Sequence, residues 1–89
     1  MSTAGDLSAV FAAEALVPSR WSNGAGFRYG EHAHPYHKVL VCAAGSITFH
    51  LAYGDVRLVS GDRLDLPAGT PHAATVGPKG VTCWEAARP

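Results

Sequence analysis

The stretch GEHAHPYHK, residues 30–38, places three of the chain's five histidines, His32, His34 and His37, within six positions and ends on Lys38. Neutral imidazole is the commonest side-chain ligand for divalent transition metals. His32 and His34 lie two apart, so in an extended segment both rings project to one face and offer a metal two nitrogens. By the same parity Tyr36 and Lys38 share that side, where Tyr36 is placed to hydrogen-bond a ligand. His37 points away unless the turn at Pro35 shifts the alternation, in which case it is a possible fourth ligand. Taken alone, the pair fits solvated loop residues equally well. A second stretch, GDRLDLPAGTPH at 61–72, sets Gly61, Pro67, Gly69 and His72 at intervals that each have a physical use. The glycines allow turns that a Cβ would strain, Pro67 stiffens a strand end, and His72 opens the next strand. Read from spacing alone, the candidate metal ligands are His32 and His34, with His37 in reserve.

The elements that must position these residues are short and mostly extended. Runs at 26–30, 37–42, 46–51, 55–59, 62–66, 72–76 and 80–86 read as strands. They are separated by turn signals at Ala44-Gly45, Tyr53-Gly54-Asp55, Ser60-Gly61-Asp62, Pro67-Ala68-Gly69 and Gly77-Pro78-Lys79-Gly80. Many short strands with this spacing predict an all-β antiparallel sandwich or barrel. Ile47, Phe49 and Leu51 alternate against Thr48 and His50, which predicts a half-buried strand with His50 facing solvent. The run KVLVC does not alternate, so both of its faces must be covered, by a helix, a facing sheet or a second subunit. Before the strands, Leu7, Val10, Phe11 and Ala15 recur at helical spacing behind Asp6 as N-cap, predicting a short N-terminal helix over 6–16 that ends ahead of Pro18. Trp84 and Phe49 read as core or interface aromatics, and Trp21 as packing for the connection between helix and sheet.

Composition bounds the rest. With 89 residues the chain is one domain, 1–89, and seven acids balance seven bases. Arg20, Arg28, Lys38, Arg57, Arg63, Lys79 and Arg88 are scattered rather than gathered on one face, which argues against nucleic acid as a partner. No run reaches the roughly 18 apolar residues of a membrane span, and the start lacks the basic region of a secretory signal, so the expected location is cytoplasmic with no membrane partner. Hydrophobic residues make up 47% and charged residues 16%, too few charges to coat a lone monomer, which predicts a homodimer. Cys42 and Cys83, without a CxxC spacing, read as separate buried thiols.

The two histidine-bearing stretches resemble the motifs of the cupin superfamily. The second cupin motif, G(x)5PxG(x)2H, is matched by Gly61, Pro67, Gly69 and His72, with Val76 where the motif closes on Asn; the first, HxH(x)3-4E(x)6G, is matched at His32, His34 and Gly45. The resemblance spans 26–86 and implies a small single-domain cupin: an antiparallel β-barrel, or double-stranded jelly roll. In it the three histidines converge on a divalent transition metal, with Zn, Ni, Fe and Mn as candidates, and cupins of this kind commonly pair as dimers. One departure stands out, because Lys38 occupies the position where a metal-bound cupin usually has glutamate. Two cationic centres in a low-dielectric barrel repel unless an anion lies between them, which points to an anionic small-molecule ligand meeting Lys38. Two function classes follow: a small metalloenzyme acting as dioxygenase, isomerase or decarboxylase, or a non-catalytic cupin module that binds or senses a small ligand.

Overall fold

The computed structural model, which describes residues 9–89, joins runs that the turn signals divide. Six strands are present among the described residues: β1 (Ser19–Asn23), β2 (Arg28–His32), β3 (His37–Leu51), β4 (Gly54–Val59), β5 (Arg63–Leu66) and β6 (His72–Arg88). All pairings are antiparallel. β3 lies against β6, β1 and β2 pair with the other edge of β6, and β5 and β4 pair with the other edge of β3. β3 absorbs the expected runs 37–42 and 46–51, and β6 absorbs 72–76 and 80–86. The glycines between them mark bends within a strand instead of turns between strands. Gly45 and Gly80 have φ of 72° and 79°, and the β3–β6 register shifts on both sides of the Gly45↔Val81 pair. A bulge of this kind lets one strand bend from one side of a barrel to the other. A Cβ on Gly45 would lie 2.0 Å from the Gly80 carbonyl oxygen, so the backbones cross closer than any side chain permits. β1, with the polar sequence SRWSN, has no apolar alternation to announce it; it forms because β6 offers it an unpaired edge, in register from Ser19↔Glu85 to Asn23↔Val81.

Two apolar clusters flank the first half of β3. Leu40 and Cys42 point inward, into a core with Ile47, Phe49, Leu58 and Val81. Val39 and Val41, 0% and 1% exposed, point outward and are covered by Phe11 and Leu16. The cover that KVLVC requires is thus the N-terminal helix of the same chain. Val39 and Val41, whose cover a second subunit could also have supplied, are buried within one chain. Residues 9–13 are helical; Asp6 and Leu7, part of the expected 6–16 helix, lie outside the described residues. The helix closes with a paired C-terminal motif in which Leu16 N–H donates to Phe11 C=O (2.9 Å) and Ala15 N–H donates to Ala12 C=O (3.1 Å). Glu14 accepts hydrogen bonds from Arg63 and Arg88, tying the helix end to β5 and β6. Partly exposed ion pairs contribute about 0–1 kcal/mol each, whereas burying Phe11 contributes about 1.5–3 kcal/mol, so apolar contact holds the helix down.

Two substitutions test this account. Ala15 occupies the left-handed position that closes the helix, with φ of 58°, so Ala15→Gly should raise unfolding stability by about 1 kcal/mol in urea titration. Gly45→Ala should lower it by more than about 2 kcal/mol, because both its φ and the Gly80 carbonyl forbid a Cβ.

Candidate metal centre

His32 on β2 and His72 on β6 are register partners, but only because of an irregularity. Tyr29 pairs with Ala74, and regular alternation would bring Glu31 opposite His72. The register shift between Tyr29 and His32 inserts one residue and turns His32 to the inner side in place of Glu31. His34 lies beyond the end of β2, and its segment is held by a backbone hydrogen bond from Gly69 N–H to His34 C=O (2.8 Å), which ties the two histidine-bearing stretches together. The imidazoles meet: ring centroids are 4.9 Å apart for His32 and His34, 4.3 Å for His32 and His72, and 5.3 Å for His34 and His72. One potential ligand nitrogen from each lies within 4.8 Å of the others.

Local hydrogen bonds decide which nitrogen each ring offers. His32 Nδ1 lies 2.7 Å from Gly30 C=O and His72 Nδ1 lies 2.9 Å from Thr70 C=O. A carbonyl oxygen only accepts, so both Nδ1 atoms carry the proton and both Nε2 atoms keep a free lone pair. His34 Nε2 is buried without a hydrogen-bond partner among the described residues. A buried, unpartnered imidazole nitrogen is costly unless something occupies it, and these three rings fit a transition metal.

Beside the histidines lies a cavity of about 200 Å3. Its floor is apolar, made by Leu40, Ile47, Phe49 and Ala74, while His32, His72, Tyr29, Trp21, Lys38 and Glu85 supply its polar rim. Lys38 Nζ lies 3.3 Å from Glu85 Oε1, and the Lys38 side chain is only 12% exposed. Trp21 Nε1–H donates to the same Glu85 oxygen at 2.6 Å. The anion that Lys38 requires is therefore already present within the chain, as a carboxylate on β6.

The family model for the AraC-like ligand-binding domain matches residues 21–86. The chain belongs to that family of cupin-type domains. A search among curated proteins returns no match. Among solved structures, a cupin superfamily protein from Desulfitobacterium hafniense DCB-2 is similar at 19% identity and a TM-score of 0.72, over 81% of this chain and 65% of that one. KdgF from a Halomonas species is similar at 22% identity and 0.68, over 81% and 67%. The DMSP lyase DddQ from Ruegeria pomeroyi DSS-3 is similar at 27% identity and 0.77, over 83% of this chain but 38% of the lyase. The chain therefore spans about two thirds of the first two and well under half of the lyase. Among the described residues no helix is long and apolar enough to cross a membrane.

In this cupin-type domain, the expected residues divide. His32, His34 and His72 are brought together, and Lys38 reaches the cavity. His37 does not join them; its Nε2 lies 3.0 Å from Asp65 on the outer face. Tyr36 stacks on His34, with centroids 5.1 Å apart and planes at 28°, and does not line the cavity. Trp84 packs in the outer cluster, whereas Trp21, read as packing for a connection, sits in the cavity. His50 binds Asp55 and Thr75 outside the core, as its alternation predicts. Glu85 went unseen in the sequence because it lies outside both motifs. Only the Leu40↔Glu85 register of β3 with β6 brings it near Lys38.

Burial, followed by the charge of Lys38 and the neighbouring imidazoles, holds His34 below the ordinary histidine pKa. Burial also lowers His72, outweighing the opposite effect of its bond to Thr70. Both rings thus resist protonation in the folded state, and the unfolded chain takes up protons first. Stability is therefore fully present above about pH 6.5 and is lost as pH falls through the lowered folded values. Thermal melts of metal-free protein from about pH 8 down to about pH 5 should show Tm dropping below about 6.5; an unchanged Tm over that window would contradict the assignment.

Proposed function

We propose that this domain is a metal-dependent receptor site for a small anionic organic molecule, in which His32, His34 and His72 hold one divalent transition metal through Nε2. The observation that carries the reading is the buried, unpartnered Nε2 of His34 beside two histidines whose backbone bonds leave their own Nε2 atoms bare. When bound, such a metal supplies a Lewis acid that polarises a ligand oxygen. Lys38 supports the anionic preference, since only one of its three donors is needed by Glu85 and the ammonium stands on the cavity rim. Glu85 restrains that preference by drawing Lys38 toward itself. The apolar floor of Leu40, Ile47, Phe49 and Ala74 suits a hydrocarbon body attached to the charged group.

Binding without turnover is favoured by the family match, whose description is ligand binding. Catalysis is the second reading, favoured by the likeness to a structure named as a DMSP lyase. Here Glu85, fixed by Trp21 and Lys38, is the group able to accept a proton from a bound molecule. Chelation-sensitive turnover would establish catalysis, while a ligand that raises Tm without product would establish the receptor.

Elemental analysis of protein purified with metal supplementation should give about one transition metal per chain, and His72→Ala should lose most of it. Equal metal in both, or none in the wild type, ends the proposal. For the ligand, calorimetry with a short aliphatic carboxylate should show Lys38→Met weakening binding by about tenfold, the loss of one charge-assisted hydrogen bond. Glu85→Gln, which releases Lys38, should strengthen it. Unchanged carboxylate affinity in Lys38→Met would remove the lysine from the site while leaving the metal assignment intact.

A further inference from the structure

Cys42 and Cys83 take no part in the site described above; they are the buried thiols that the sequence predicts, and they meet across the sheet. They are register partners across β3 and β6, both free, and both 0% exposed. The backbone shows what kind of pair they form. Cys42 N–H donates to Asp62 C=O at 2.9 Å, and Cys42 C=O accepts from Gly61 N–H at 2.8 Å. Both polar groups thus point away from β6, and in an antiparallel ladder that makes Cys42↔Cys83 a non-hydrogen-bonded pair. At such positions the Cα atoms approach to about 4.5 Å and the side chains are closest. That separation lies within the roughly 4.4–6.8 Å found for disulfides, so a bond needs little movement of the strands. Both side chains belong to the inner core cluster and therefore project to the same face. Cys42 Sγ lies 3.5 Å from the Ala44 carbonyl oxygen, and the closeness of the two thiols lowers the pKa of Cys42 and raises that of Cys83.

We infer that Cys42 and Cys83 form a dithiol that closes to an intrachain cross-strand disulfide when the folded protein meets a small peroxide. Burial selects the oxidant, because a molecule little larger than water penetrates where a peptide disulfide does not. The Cys42 thiolate attacks one peroxide oxygen, the O–O bond breaks, and the departing hydroxide takes up a proton to become water. Cys42 is left as a sulfenic acid. The Cys83 sulfur then attacks Cys42 Sγ, the S–S bond forms, the S–O bond breaks, and the leaving hydroxide combines with the Cys83 proton as a second water. Two thiols and one hydrogen peroxide give one disulfide and two waters, with two electrons passing from sulfur to oxygen. The location matters to the cavity. The next inward pair along the ladder is Leu40↔Glu85, and Cys83 is also the register partner of Trp21 on β1. The bond would therefore fasten the segment that carries Glu85 directly to β3.

The test uses the full chain, treated with hydrogen peroxide while folded, then denatured and alkylated. The titre of free thiols should fall from two to none, and proteolysis should yield one linked peptide pair containing Cys42 and Cys83, abolished by prior reduction. The urea midpoint of the oxidised protein should rise and return on reduction. Cys42→Ala and Cys83→Ala should each remove both the linked peptide and the shift; if either fails to fold, the other variant and the wild-type peptide map decide. Retention of both thiols under peroxide that oxidises free glutathione overturns the inference. So do sulfinic or sulfonic products on unlinked cysteines, or bonds joining two chains.

Discussion

β3 and β6 run antiparallel from His37↔Arg88 to His50↔Ala73, and every other strand pairs with one of the two. The ladder can serve both sides of a barrel only if it bends, and the bend depends on the place where Gly45 meets the Gly80 carbonyl. On one side of it, the first half of β3 faces the last part of β6, bringing Leu40 beside Glu85 and Cys42 beside Cys83. On the other, the second half of β3 faces the beginning of β6, where Phe49 pairs with Ala74 and His72 starts the strand. A straight ladder would separate Glu85 from His72 by the length of β6. The bend folds both ends of that strand over one cavity.

Charge within the cavity follows from the same geometry. A lysine that is only 12% exposed must be partnered, since an isolated buried ammonium costs several kcal/mol. The partner comes from the strand opposite, and Trp21 on β1 holds that carboxylate in place. In the cupin motif that the sequence resembles, the position of Lys38 is a glutamate. Here the carboxylate stands instead on β6, tied to Lys38 and Trp21. A buried pair of this kind adds little net stability over an apolar pair, because desolvation offsets attraction. Its effect is on what the cavity accepts, since it sets a donor and an acceptor side by side above an apolar floor.

The histidine cluster shows how backbone carbonyls fix the tautomer of a ring. Gly30 and Thr70 each lie two residues before the histidine whose Nδ1–H they accept, so the local chain that presents the ring also selects its tautomer. The second glycine of the second motif, Gly69, holds the segment carrying His34 by a single backbone bond. The motif residues thus act on each other.

Much of this was legible in the sequence. The shared face of His32 and His34, the all-β architecture, the two-sided burial of KVLVC and the short N-terminal helix follow from spacing and periodicity, because each depends on neighbours within a few residues, and the motif resemblance adds His72. The turn signals at Ala44-Gly45 and 77–80 misled, since a glycine with positive φ serves a bulge as well as a turn, and only the pairing of β3 with β6 distinguishes them. The bulge that turns His32 inward, the Glu85 partner of Lys38, the place of Trp21 on the cavity and the meeting of Cys42 with Cys83 had no local signal. Each joins residues far apart in the chain, and register between distant strands is set by the packing of the whole barrel. The sequence by itself determined which side chains could bind a metal. Tertiary structure decided which of them meet, and which charge stands beside them.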